Sequence, residues 1–118
     1  MAGVSQLLVP LTELTLSSAS AQHGFAMLPP NLGGQALEYT VYVSFLTGVT
    51  AGVVKVESAF SRDYDGTWPA EATVTFTGTA PNLQVVHLTA LNEATRIRIS
   101  TAISDGTVKV YYMAANRV

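Results

Sequence analysis

Arg96-Ile97-Arg98-Ile99-Ser100-Thr101-Ala102-Ile103, then Ser104-Asp105-Gly106, then Thr107-Val108-Lys109-Val110-Tyr111-Tyr112-Met113 is the stretch that decides the fold. Polar and apolar residues alternate on both sides of the Asp-Gly pair. A period of two sends successive side chains to opposite faces of an extended strand, and Asp-Gly accepts the positive φ of a tight reversal. The stretch therefore predicts two strands joined as a hairpin, and with them an all-β chain.

The same rhythm runs backwards from there to Leu37. Tyr39, Val41, Val43 and Phe45 share one face, and Thr40, Tyr42, Ser44 and Leu46 the other. Val54, Val56, Ser58 and Phe60 oppose Val53, Lys55, Glu57 and Ala59. Residues 71–77 alternate, with Val74 and Phe76 inward and Thr73, Thr75 and Thr77 outward. Residues 83–91 are strand-like, and Asn92-Glu93-Ala94 turns into the Arg96 strand. Thr-Gly, Asp-Gly and Pro-Asn turns separate these runs. Regularly spaced, Val- and Thr-rich strands predict an antiparallel β-sandwich or small barrel. No helical period extends beyond a turn or two.

The N-terminal third is different. Leu7-Leu8-Val9-Pro10-Leu11 is apolar, and Pro10 argues against a central strand, because proline cannot donate to a ladder. Leu11, Glu13 and Thr15 alternate with Thr12, Leu14 and Leu16, which suits a strand on one side of Pro10. Residues 17–35 hold small residues, Pro29-Pro30 and Gly33-Gly34, and read as a long irregular segment. The expected division is an extended N-terminal arm or irregular segment, 1–36, and a β-sandwich domain, 37–118. Such an arm suits a neighbouring subunit; the plain alternative is a loop folded over one end of the sandwich.

A chain of 118 residues fits one domain with its own core. Hydrophobic residues make up 48% and charged residues only 12%, against about 25% charged in an ordinary soluble domain. So little charge predicts that partner chains cover much of the surface. The alternative is a monomer coated in Thr, Ser and Asn. Net charge is -2 and the six basic residues are scattered, so no run of phosphates would be neutralised and nucleic-acid binding is not expected. There are no cysteines, which excludes disulfides and thiolate metal sites. No apolar run approaches the roughly 18 residues of a membrane span, so no membrane is expected. Met1-Ala2-Gly3-Val4-Ser5 lacks a basic n-region, so synthesis in a cytoplasm without a cleaved signal is expected.

Residues with chemistry are sparse. His23 and His87 stand far apart, outside any metal-ligand spacing, and His87 reads as a strand-face residue. Asp63-Tyr64-Asp65-Gly66 resembles a fragment of a calcium loop but lacks the remaining ligands; turn chemistry explains it more simply. Glu57 with Asp63 or Asp65 would make a carboxylate pair only if they met in a cleft. There is no Gly-x-Ser-x-Gly, and Gly33-Gly34 lacks the residues of a phosphate loop. The expectation is no metal, no cofactor and no catalytic residue, hence not an enzyme. Tyr64 and Trp68 flank Asp65-Gly66, where an aromatic stacks on a sugar or fills a partner pocket, or else folds back over the core. Tyr111 and Tyr112 put one ring on each strand face. Arg96 and Arg98 share a face and are expected to pair with Glu57, Glu93 or an acidic neighbour.

Four segments resemble small β-sandwich virion proteins of tailed phages, of the capsid decoration or cement type. They are Gly52-Val53-Val54-Lys55-Val56-Glu57, Tyr64-Asp65-Gly66-Thr67-Trp68, Arg96-Ile97-Arg98-Ile99-Ser100 and Gly106-Thr107-Val108-Lys109-Val110-Tyr111-Tyr112. The resemblance covers about 37–114 and is one of pattern. It implies a jelly-roll-like sandwich, a homotrimer, seated on the outer capsid surface of the virion and bridging subunits of the major capsid protein. On that reading Leu7, Leu8, Val9, Leu11 and Phe25 are the first candidates for partner-interface contacts, with Tyr64 and Trp68 at the tip. The alternative is a carbohydrate- or receptor-binding β module of a phage tail or appendage, using Tyr64, Trp68, Asp63 and Asp65. A small hydrolase is a third reading and lacks a visible carboxylate cleft.

Overall fold

The computed structural model describes residues 5–16, 25–28, 37–90 and 94–117. His23 and Glu93 lie outside the described residues. Eight strands follow one another: β1 Ser5–Leu14, β2 Phe25–Met27, β3 Leu37–Phe45, β4 Ala51–Ala59, β5 Ala70–Thr75, β6 Asn82–Ala90, β7 Ala94–Ser104 and β8 Val108–Arg117. They form two four-stranded sheets, a first in the order β1-β8-β3-β6 and a second in the order β2-β7-β4-β5. The pairing is antiparallel throughout. The protein is an antiparallel β-sandwich with the strand order of an eight-stranded jelly roll.

The alternation seen in the sequence builds the core directly. Tyr39, Val41, Val43 and Phe45 of β3 and Val108, Val110, Tyr112 and Ala114 of β8 are buried. They face Val54 and Val56 of β4, Val74 of β5, and Ile97, Ile99 and Ile103 of β7. Burying each valine, isoleucine or phenylalanine of this set contributes about 1.5–3 kcal/mol. Tyr39 and Tyr112 meet edge to face with centroids 6.4 Å apart, and Phe45 and Phe76 do the same at 5.2 Å. Burial, with the neighbouring Tyr112 adding to it, pushes the Tyr39 phenol up to about 12.

The 96–113 stretch is two strands, as its period dictates, but not a hairpin. β7 lies in the second sheet between β2 and β4, and β8 in the first between β1 and β3. The Ser104-Asp105-Gly106 turn is a corner that carries the chain from one sheet to the other. Period two fixes which residues are apolar; it is silent on whether two apolar faces lie side by side or opposed. The corner is held by its neighbour. Residues 46–50 take the chain from β3 to β4 beside it, Leu46 N–H donates to Thr107 O at 3.0 Å, and Thr50 N–H donates to Ser104 O at 3.1 Å. The Thr50 hydroxyl donates to Asp105 Oδ2 at 2.5 Å. Gly48, at φ 99°, sits so close that an added Cβ would lie 2.8 Å from the Asp105 carbonyl oxygen. The pair of strands adjacent in sequence that do form a hairpin is β4 and β5, joined by residues 60–69.

The expected boundary at residue 36 does not separate an arm from the sandwich. β1 pairs with β8, and β2 pairs with β7, so residues from the N-terminal third supply an edge strand to each sheet of their own domain. Pro10 is tolerated because β1 is an edge, and the ladder shifts register between Leu7 and Val9 and between Val9 and Thr12. Those bulges also explain why the alternation that is visible from Leu11 onwards does not extend back through Val9 to Leu7.

Candidate functional site

The outer face of the second sheet carries a closed cluster of three charged side chains, Glu57, Arg96 and Arg98. β4 and β7 pair Glu57 with Arg96 and Lys55 with Arg98. Glu57 Oε1 accepts from Arg96 Nε at 2.9 Å and from Arg98 Nε at 3.0 Å; Oε2 accepts from Arg98 Nη2 at 2.9 Å. The Glu57 side chain is only 3% exposed. Burial alone would raise its carboxyl pKa; the hydrogen bonds and charges of Arg98 and Arg96 outweigh that and hold it below the ordinary carboxylate range. The indole of Trp68 lies over Arg96, 4.2 Å from Cζ to the ring centroid, and its Nε1 donates to Tyr64 O at 2.9 Å. Trp68 is thus folded back and buried, and is not a free tip aromatic. An ionised carboxylate saturated by two guanidiniums neither gives nor takes a proton near neutral pH. It is a clamp between strands, and it leaves Glu57 unavailable for a pair with Asp63 or Asp65, both of which are exposed. Among the described residues no three His, Asp or Glu side chains come together.

The 60–69 loop has a second feature. Phe60 is 78% exposed, and its ring lies 5.2 Å from that of Tyr64 at 51°. Both line an open cleft of about 430 Å³ with Ser58, Thr67, Pro69 and Glu71. Sequence alternation puts Phe60 inside with Val54, Val56 and Ser58. It lies instead beyond the end of β4, where the strand gives way to Ser61-Arg62-Asp63. That polar run was the available signal.

The outer face of the first sheet is of a different kind. Register sets Val85, Tyr42, Tyr111 and Glu13 in one row across β6, β3, β8 and β1, and His87, Thr40 and Met113 in the next. Leu83 and Val85 are exposed, and Tyr42, Tyr111 and Met113 are half-buried. Leu11 is 59% exposed on β1. Tyr111 and Tyr112 take opposite faces, as period two requires. His87 lies 3.2 Å from the Thr40 hydroxyl, a cross-strand contact and no more.

The interface candidates from the sequence do not gather in one patch. Leu7, Leu8, Val9 and Leu11 lie along β1, at the edge of the first sheet. Val9 packs against the core. Phe25 is opposite Arg98 on β2, at the edge of the second sheet. For Leu7, Leu8 and Phe25 the strand positions are described and the side chains are not. Tyr64 and Trp68 belong to the 60–69 loop. The row through Val85, Tyr42 and Tyr111 went unnoticed in the sequence, because its members come from three strands whose order period alone does not give.

No protein-family model matches this chain, and no curated protein does. Solved structures of similar architecture include a subunit of the disulfide-linked pili of Bacillus endospore appendages, 16% identical, covering 98% of this chain and 87% of that one at a TM-score of 0.48. The coat protein of Tobacco streak virus is 10% identical over 96% of this chain and 85% of its own, at 0.46. A CBM4 module is 15% identical over 98% and 81%, at 0.40. These are likenesses of architecture, and no function passes from them to this chain.

Proposed function

We propose that this chain is a structural virion protein of the capsid decoration or cement type, seated on the outside of an expanded tailed-phage capsid and bridging subunits of the major capsid protein. The observation that carries the reading is the outer face of the first sheet. Tyr42, Tyr111, Met113, Leu83 and Val85 present aromatic and aliphatic surface there, in a chain with 12% charged residues. Interface cores are enriched in Tyr and Met and depleted of charge. The resemblance of the four sequence segments adds the capsid as partner. The mechanism is binding alone, with no bond made or broken. A clamp that fits only the expanded shell stabilises that shell by mass action, and several weak contacts from one assembly act together. The test is co-sedimentation with expanded and unexpanded capsids. Retention by expanded shells alone is expected, and its loss when Tyr42 and Tyr111 are both changed to Ser; equal indifference to both shells overturns the proposal.

A second reading has its own observation. The exposed Phe60–Tyr64 pair beside Glu71 is a platform with a carboxylate at its rim, suited to a sugar face and its hydroxyls. It moves the carbohydrate-binding alternative from Trp68, which is buried, to Phe60. Glycan binding that disappears in Phe60→Ala, without capsid binding, would make this the better account.

A further inference from the structure

A sheet edge displays unpaired backbone N–H and C=O groups and invites another strand, so proteins blunt their edges with short strands, proline, bulges or charge. Among the described residues this sandwich has four edge strands, β1, β6, β2 and β5. Three are blunted. β1 contains Pro10 and Glu13 and shifts register twice. β2 has three residues. β5 has six, carries Glu71, and its ladder to β4 shifts between Val56 and Glu57.

β6 has none of these devices. Its nine residues, Asn82-Leu83-Gln84-Val85-Val86-His87-Leu88-Thr89-Ala90, contain no Asp, Glu, Lys, Arg, Pro or Gly. They pair with β3 in unbroken register from Asn82↔Phe45 to Ala90↔Leu37. Leu83 and Val85, at 57% and 45% exposure, stand out from its outer face. Within the sandwich, the Gln84 amide donates to Thr75 O and the Asn82 amide to Thr77 O, tying this side of the sandwich to β5.

We propose that the free edge of β6 is a self-association site, at which β6 of one chain pairs antiparallel with β6 of a second copy about a two-fold axis. Strand addition needs a long, regular, unpaired edge on both partners, and a second copy brings one by construction. Charge favours this edge over the others. Self-pairing of β1 or of β5 would bring Glu13 or Glu71 towards its own copy, and like charges opposed across strands are destabilising. β6 brings no charge to its copy, and a net charge of -2 opposes the approach only weakly. The pairing joins two four-stranded sheets into one continuous sheet and merges their outer faces, so the Val85–Tyr42–Tyr111 row is doubled in length. It is independent of the capsid reading, and a threefold contact made elsewhere on the chain would be unaffected by it.

The test is the solution mass of the full chain beside the double variant Leu83→Lys, Val85→Lys. Both positions are exposed, so the fold is expected to survive, which circular dichroism checks. The expected result is that the variant's assembly has half the mass of the unaltered one. Amide exchange over residues 82–90 should also slow as protein concentration rises, and should do so only in the unaltered chain. Equal masses, or exchange over 82–90 that does not depend on concentration, overturn the proposal.

Discussion

The two outer faces of this sandwich are written in the same alternating code and end in opposite states. On the second sheet the outward residues Glu57, Arg96 and Arg98 find one another, and Trp68 closes over Arg96. That face consumes its own polar groups. On the first sheet Leu83, Val85, Tyr42, Tyr111 and Met113 give the outward face an aromatic and aliphatic centre, with Glu13, Glu38 and Lys109 also turned outward by the register. What differs is which residue types fill the outward half of the alternation. One face is finished within the chain, and the other is completed by contact.

That contrast is open to attack at several points. The largest loss of stability is expected from Trp68→Ala, about 3 kcal/mol in urea unfolding, because a buried indole and its stacking over Arg96 go together. Glu57→Ala follows at about 2–3 kcal/mol. Removing the carboxylate leaves two adjacent guanidiniums, a loss below the full cost of breaking a buried pair because Arg96 and Arg98 are 19% and 29% exposed. If Glu57→Ala proves neutral, the second sheet is no more closed than the first.

The same carboxylate predicts a pH dependence. Its pKa in the folded chain lies below the ordinary value. Its contribution is therefore complete above the unfolded-state pKa and is lost as pH falls through the folded one. Melting temperatures of the unaltered protein and Glu57→Gln should converge in acid and separate towards neutrality. A gap that is constant with pH would mean that the ion pairs add nothing beyond packing. The smallest effect belongs to the first sheet. Tyr111→Ser should change the stability of the dissociated chain by less than about 1 kcal/mol, while weakening whatever association its face supports. A large loss in the lone chain would make Tyr111 part of the core and remove the contrast.

Much of this architecture was legible. Six strands from Leu37 onwards and the core residues of β3, β7 and β8 follow from period two alone, as does the shared face of Arg96 and Arg98. Their carboxylate partner the sequence left open among Glu57, Glu93 and an acidic neighbour, and the fold gives it as Glu57. What period two does not carry is the partner of each strand. The apolar sets of β7 and β8 would suit a hairpin in one sheet or a corner between two, and only the neighbouring Leu46–Thr50 crossing, more than fifty residues earlier in the chain, decides it. The alternation after Pro10 announces the second half of β1, while Pro10 and the two register shifts conceal that the strand runs through the proline from Ser5 and belongs to the sandwich. Phe60 was hidden because alternation does not announce where a strand stops.

The register of β1 on β8 has a practical consequence. Ser5 stands opposite Arg117, so these two residues are neighbours across a ladder, about 5 Å apart between Cα atoms. That separation lies within the Cα range a disulfide spans, so the double variant Ser5→Cys, Arg117→Cys would tie β1 covalently to β8 and close a covalent loop around the sandwich.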